Sequence, residues 1–217
     1  MSKASKIARL KITLDDIEPN VMRRIDVPLK IKLDRLHLVI QAAMPWTNSH
    51  LWGFEAGGAN WGDASIGFDD ALPASKATLL DVMEDVGAKT LHYTYDYGDN
   101  WEHTIKVEGI RDPAPGQLYP SLLKAEGRCP PEDIGGFPGY DMYLGIMADP
   151  DHEERGWMIE CYGKPQDPKE AELDTIISGL RRLAKRWAPR QRKPRSRPPI
   201  TGTQSCGTDR PLTIGRR

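Results

Sequence analysis

Carboxylates, aromatic rings and two histidines crowd the stretch LHYTYDYGDNWEHTIKVEG at residues 91–109, where Asp96, Asp99, Trp101 and His103 lie close together in the chain. Such groups can hold a divalent cation or exchange protons, provided that their side chains converge on one point. Tyr93, Tyr95 and Tyr97 alternate along the first run, and Trp101, His103, Ile105 and Val107 do the same along the second, the period-two signature of paired strands. Gly98-Asp99-Asn100 reads as a three-residue hairpin loop. The register predicted from that loop sets Tyr97 opposite Trp101, Tyr95 opposite His103, Tyr93 opposite Ile105 and Leu91 opposite Val107. His103 then falls on the apolar face while Asp96 and Glu102 point the other way, so an Asp96–His103 pair is not expected. In the plainer reading, Asp99 bonds its own turn backbone and His103 donates to Tyr95 or to a carbonyl.

Two further constellations could carry chemistry. In Pro130-Pro131-Glu132-Asp133-Ile134-Gly135-Gly136-Phe137-Pro138-Gly139-Tyr140, the acids Glu132 and Asp133 sit beside glycines whose backbone can approach a cation or an anion closely. The same loop can simply turn a corner, with Asp133 accepting bonds from its amides. In Asp149-Pro150-Asp151-His152-Glu153-Glu154 the acids suit helix capping, and nothing in the sequence joins His152 to His50 or His103. The candidates for a metal are His50, His103 and Asp96; His37 and His92 read as ordinary packing or surface positions. Phosphate loops, GxSxG nucleophile turns, HExxH pairs and GxGxxG turns are all absent from the sequence.

The elements that must position these residues are legible from periodicity. Residues 7 to 14, IARLKITL, alternate as a half-buried strand, and a second strand around Arg23 to Val27 is expected to pair with it. Leu33, Leu36, Val39, Ile40 and Ala43 recur at helical spacing, closed by Pro45. A weaker hairpin is expected around Gly57-Gly58, and Thr78 with Asp81 forms a capping-box variant ahead of a short helix that Gly87 ends. A strand-like stretch follows Gly116. Asp167-Pro168-Lys169-Glu170 predicts a helix start, followed by one apolar stripe of Leu173, Ile176, Ile177, Leu180, Leu183, Ala184 and Trp187. The expected fold class is α+β: a single domain, mostly antiparallel sheet packed against helices, with a C-terminal helical segment.

Composition bounds the rest. A chain of 217 residues with 39% hydrophobic and 28% charged content suits a soluble globular protein and is long enough for one substantial core or two small ones. No apolar run is long enough to span a bilayer, the N-terminus lacks a signal-peptide core, and the three cysteines are widely spaced with no CxxC, so a cytoplasmic setting is expected. From Ala188 onward the chain carries eight Lys or Arg against the single acid Asp209, so that a total of −1 leaves −8 on residues 1 to 187. Residues 188–217 read as a disordered basic tail, and Arg190, Arg192, Lys193, Arg195 and Arg197 could neutralise phosphates in a weak, sequence-independent contact with nucleic acid.

Four blocks, LHLVIQAAMPWTNSHLWGF, YDYGDNWEHTIKVEG, CPPEDIGGFPGY and ADPDHEE, resemble in order and spacing the plasmid pRiA4b ORF-3-like family, over about residues 7 to 187. The resemblance implies a single α+β domain found on plasmids, insertion-element passengers and bacterial chromosomes. A resolvase-type label attached to some members implies a serine recombinase, but residues 1 to 187 offer no matching serine and arginine cluster. Members often carry a second histidine two positions after the one matching His50, where this chain has Trp52, which puts any metal site built on that pair in doubt here. The blocks coincide with the first two constellations and imply one pocket near Asp96, Asp99, Trp101, His103, Glu132 and Asp133. The leading expectation is an accessory or binding domain of mobile genetic elements rather than an enzyme, with no cofactor required by the sequence. The alternative is a metal-dependent hydrolase or nuclease using Asp96, Asp99, His103, Glu132 and Asp133.

Overall fold

The computed structural model describes residues 6–63 and 71–188; the basic residues Arg190, Arg192, Lys193, Arg195 and Arg197 lie outside them. Among the described residues eight strands form one sheet: β1 (Ile7–Leu14), β2 (Val21–Pro28), β3 (Trp52–Ala56), β4 (Ala59–Gly62), β5 (Leu72–Pro73), β6 (Thr90–Tyr95), β7 (Trp101–Arg111) and β8 (Ser121–Glu126). Their order is β5-β4-β3-β6-β7-β1-β2-β8, and every pairing is antiparallel except β4 with β5. The described residues also form five helices: α1 (Leu33–Ala43), α2 (Leu79–Asp85), α3 (Gly136–Ala148), α4 (Arg155–Tyr162) and α5 (Leu173–Trp187). The α+β expectation therefore holds, with the strands and helices anticipated near residues 7, 33 and 79 in place. None of the helices among the described residues is long and apolar enough to cross a membrane.

Alternation explains the core. Ala8, Leu10, Ile12 and Leu14 of β1 meet the buried Trp101, His103, Ile105 and Val107 parity of β7 on one side of the sheet. The same parity on β2 carries Arg23, whose fully buried guanidinium donates to the carbonyls of Ala43 at 2.8 Å, Met22 at 3.0 Å and Glu126 at 2.6 Å. One cation thereby ties β2, β8 and the end of α1 together. Helix α2 opens as predicted, with Thr78 and Asp81 exchanging both capping-box bonds.

Two local expectations are corrected. The β6–β7 hairpin pairs Tyr95 with Trp101, Tyr93 with His103 and Leu91 with Ile105, so the loop runs from Asp96 to Asn100 and is longer than Gly98-Asp99-Asn100. Asn100, a residue suited to left-handed backbone, has φ 54°, but Asp96 shares that conformation at φ 56°, and the Asn100 amide donates to the Asp96 carbonyl at 2.5 Å, closing the turn two residues earlier than the three-residue loop predicts. The displacement is even, so each side chain keeps its predicted face. Helix α5 starts at Leu173 and not at Asp167, because the Pro168 carbonyl is spent on the Arg128 amide at 2.8 Å while Asp167 closes a local turn onto the Lys169 amide at 2.8 Å. Its stripe buries Ile176, Leu180 and Ala184, with Gly179 against Ala42 of α1, but leaves Leu173 and Ile177 half-exposed.

Candidate functional site

Three chain segments meet at the turn end of the β6–β7 hairpin: the loop 44–51 after α1, the hairpin loop itself, and the glycine-rich loop 129–136 before α3. Each is fixed by side chains, which sets where its functional groups point. In the first segment, Asn48 has φ 62°; its amide donates to Gln41 Oε1 at 3.1 Å, and its side-chain oxygen meets His37 Nε2. His37 is stacked on Trp52 at 4.0 Å and bonded to the Tyr93 hydroxyl at 2.8 Å, and burial lowers its pKa to about 4. This buried polar network is a mount for residues 47–50.

Glu132 links the first and third segments. Its carboxylate accepts from the Thr47 amide at 3.0 Å, the Thr47 hydroxyl, the Ser49 hydroxyl at 3.4 Å and the Tyr95 hydroxyl at 2.5 Å. Tyr95 also accepts from the Ser49 amide at 3.0 Å, and burial together with the Glu132 bond pushes its pKa up to about 12. Trp46 donates to the Pro130 carbonyl at 3.0 Å and stacks on Tyr95, while Tyr162 donates to the Asp133 carbonyl at 3.0 Å. The glycines have a steric purpose: a Cβ on Gly136, which has φ 65°, would come within 2.5 Å of the Asp99 carbonyl oxygen, so the third segment rests its backbone directly on the hairpin tip. Asp99 adds a bond across the same junction, accepting from the Gly135 amide at 3.2 Å instead of from its own turn.

These supports bring His50, Asp96 and Asp133 together. One ligand atom from each lies within 4.8 Å of the others. Asp96 spends one carboxylate oxygen on the Gly98 amide at 2.9 Å and turns the other toward His50 Nδ1 at 3.6 Å. On the other side of the imidazole, Asp133 Oδ1 stands 3.1 Å from Nε2, yet the buried Nε2 has no hydrogen-bond partner. The Asp133 contact is therefore a close approach without hydrogen-bond alignment. An ion with ligand bonds of about 2.1 Å needs donor separations of no more than roughly 4.2 Å, so the cluster, whose donors lie within 4.8 Å of one another, would have to close slightly around one. Asp133 is 73% exposed and, like Asp96, has left-handed backbone, φ 58°.

The other predicted residues are placed elsewhere. His103 is fully buried, with Nδ1 3.2 Å from the Tyr93 carbonyl and 3.0 Å from the Trp101 carbonyl, so that nitrogen carries the proton; burial lowers its pKa to about 4. It packs edge-on to Trp46 at 5.4 Å, in the core. Trp101 is likewise buried. Asp99 and Glu132 join loops to one another, and His152 accepts from the Glu154 amide at 3.2 Å within its own turn, where Asp149 accepts from the Asp151 amide at 3.0 Å. The set Asp96, Asp99, His103, Glu132 and Asp133 does not assemble as one centre. Sequence reasoning overlooked Thr47, Asn48, Ser49 and Tyr95, whose signal is the polar run Thr47-Asn48-Ser49-His50 directly after Pro45.

Similar proteins share this framework. The sequence model of the family described as plasmid pRiA4b ORF-3-like protein matches residues 6–175. The uncharacterized protein y4hQ of Sinorhizobium fredii (strain NBRC 101917 / NGR234) is 43% identical over 197 residues, covering 87% of this chain and 98% of its own length. A crystal structure of MM3350, a protein of unknown function from Methanosarcina mazei Go1, superposes with a TM-score of 0.70 at 33% identity, covering 76% of this chain and 94% of the other. The chain belongs to the plasmid pRiA4b ORF-3-like family.

Proposed function

We propose that this domain is a non-catalytic binding module that holds one divalent cation through His50, Asp96 and Asp133 and offers the remaining coordination positions to an anionic partner. The observation that carries the reading is the convergence of three donors from three separately braced loops. One imidazole and two carboxylates suit zinc or manganese better than calcium, which prefers oxygen alone. The support for binding over turnover is the state of the neighbours: Glu132 is engaged by four donors, and His103 is neutral and buried, so neither is available as a proton-transfer group. The family takes its name from a plasmid reading frame, which supports an accessory role for a cytoplasmic protein of mobile elements.

Calorimetric titration of metal-stripped protein tests it. Zinc or manganese should bind in one equivalent, calcium more weakly, and His50→Ala should lose the site; absence of binding by all three ions ends the reading. A second reading, metal-dependent hydrolysis, is favoured by one observation, since three protein donors leave a position for water as in catalytic zinc sites. Zinc-dependent cleavage of a phosphodiester or ester that disappears in His50→Ala would replace binding with turnover.

A further inference from the structure

A cavity of about 220 Å³ lies between residues 44–46, residues 128–132, helix α3 and the segment 166–172 ahead of α5, all of them described. Its apolar wall includes Met44, Trp46, Pro130 and Leu144, of which the first two are almost fully buried. Its polar groups are largely idle. Tyr140 and Tyr143 line it with 3% and 8% of their surface exposed, yet neither hydroxyl hydrogen-bonds to a described residue, and a phenol buried to that extent ordinarily has a partner. Arg128 makes one ion contact, Nη1 to Glu172 Oε1 at 2.7 Å, while its buried Nε has no hydrogen-bond partner. The Arg128 charge reaches both tyrosines, where it opposes the rise in pKa that burial imposes on their hydroxyls.

We propose that this cavity binds a free α-amino acid with a short apolar side chain. Charge decides the class of ligand. Arg128 and Glu172 present a cation and an anion side by side, so a lone carboxylate is opposed by Glu172 and a lone amine by Arg128, whereas a zwitterion answers both and brings no net charge into the cavity. The ligand carboxylate accepts from Arg128 and from the Tyr140 and Tyr143 hydroxyls, and its ammonium donates to Glu172. The ion pair forms the more open end, with side chains 23% and 37% exposed, so the ligand side chain is directed inward to Met44, Trp46 and Leu144. Size sets the limit. At the roughly 30 Å³ that a molecule takes up in liquid water, the cavity holds about seven non-hydrogen atoms, close to the size of valine and well short of tryptophan.

His50, Asp96 and Asp133 do not line the cavity, and the test is therefore made on the full chain in chelator, where loss of the cation site has no bearing. L-valine is titrated against amide NMR spectra, with 3-methylbutanoate, 2-methylpropylamine and L-tryptophan alongside. Valine should shift resonances of residues 128–131, of α3 and of the segment 166–172. The analogues that keep only the carboxylate or only the amine should bind about tenfold more weakly or worse, and tryptophan should leave the spectrum unchanged. Tyr140→Phe and Tyr143→Phe each remove a hydroxyl that bonds nothing in the protein, so each should keep the melting midpoint and weaken valine about tenfold, and either one that folds carries the test. No response to valine at millimolar concentration, equal binding of a singly charged analogue or of tryptophan, or undiminished valine binding by a folded phenylalanine variant overturns the proposal.

Discussion

His50 and His103 pack against the same tyrosine ladder, His50 edge-on to Tyr95 at 5.8 Å and His103 tilted on Tyr93 at 5.2 Å, but they differ in everything that governs chemistry. His103 sits among aromatic rings with its only polar contacts to carbonyls, whereas His50 stands between two carboxylates at the protein surface. Surrounding charge and access, more than residue type, decide that one imidazole is core and the other a candidate ligand. His37 belongs with His103: it is buried, neutral and committed to holding a neighbouring loop.

The interior pair supplies the largest predicted effect. Burial lowers both His37 and His103 from 6.5 to about 4, so below pH 6.5 the unfolded chain takes up protons that the folded chain refuses. Stability from these groups is complete above pH 6.5 and is lost as pH falls toward about 4, at about 1.4 kcal/mol per pH unit for each histidine. Urea midpoints measured across that window should fall steadily with acid; a flat profile down to about pH 5 contradicts the burial of both imidazoles. His103→Ala comes next. It should cost about 3 kcal/mol through the cavity and the two abandoned carbonyls, yet leave zinc binding intact, which separates the core histidine from the surface one.

Glu132→Gln is intermediate because the carboxylate belongs to both regions. An amide keeps the shape but can accept fewer of the four donor bonds, so about 1–2 kcal/mol should be lost, and zinc affinity should fall as the segments carrying His50 and Asp133 loosen. Retained affinity alongside lost stability would show that the cation site does not depend on this clamp.

How much of this was legible in the sequence follows from the range of each interaction. Strand parity, the helical spacing from Leu33 and the capping box at Thr78 are local, and they survive in the fold. The β6–β7 turn misled because Asp96, as well as the expected Asn100, takes left-handed backbone and lengthens the loop, and the α5 start misled because Pro168 answers to Arg128, distant in sequence. The cluster was half visible: Asp96 and His50 were metal candidates and Asp133 a pocket candidate, but their meeting depends on Glu132 bonding across to Thr47 and on Gly136 resting on the hairpin. No short window contains those contacts. His103 drew attention through the company it keeps in sequence, while its burial is a property of the whole sheet.

The smallest expected effect on stability is also the sharpest test of the comparison. His50→Ala removes a partly exposed side chain whose ring nitrogens make no well-aligned hydrogen bond, so the folding free energy should change by no more than about 0.5 kcal/mol. It even relieves nothing in the backbone, since Asn48 and Ser49 hold the segment independently of it. Zinc affinity should nevertheless collapse, because the two remaining carboxylates come from separate loops and one of them, Asp133, is largely exposed. His103→Ala should give the reverse pattern, unstable but still binding. If calorimetry and urea denaturation instead found both variants unstable and both still able to bind zinc, His50 would be a packing residue like its neighbour, and the carboxylates around it merely its hydrogen-bonding surroundings.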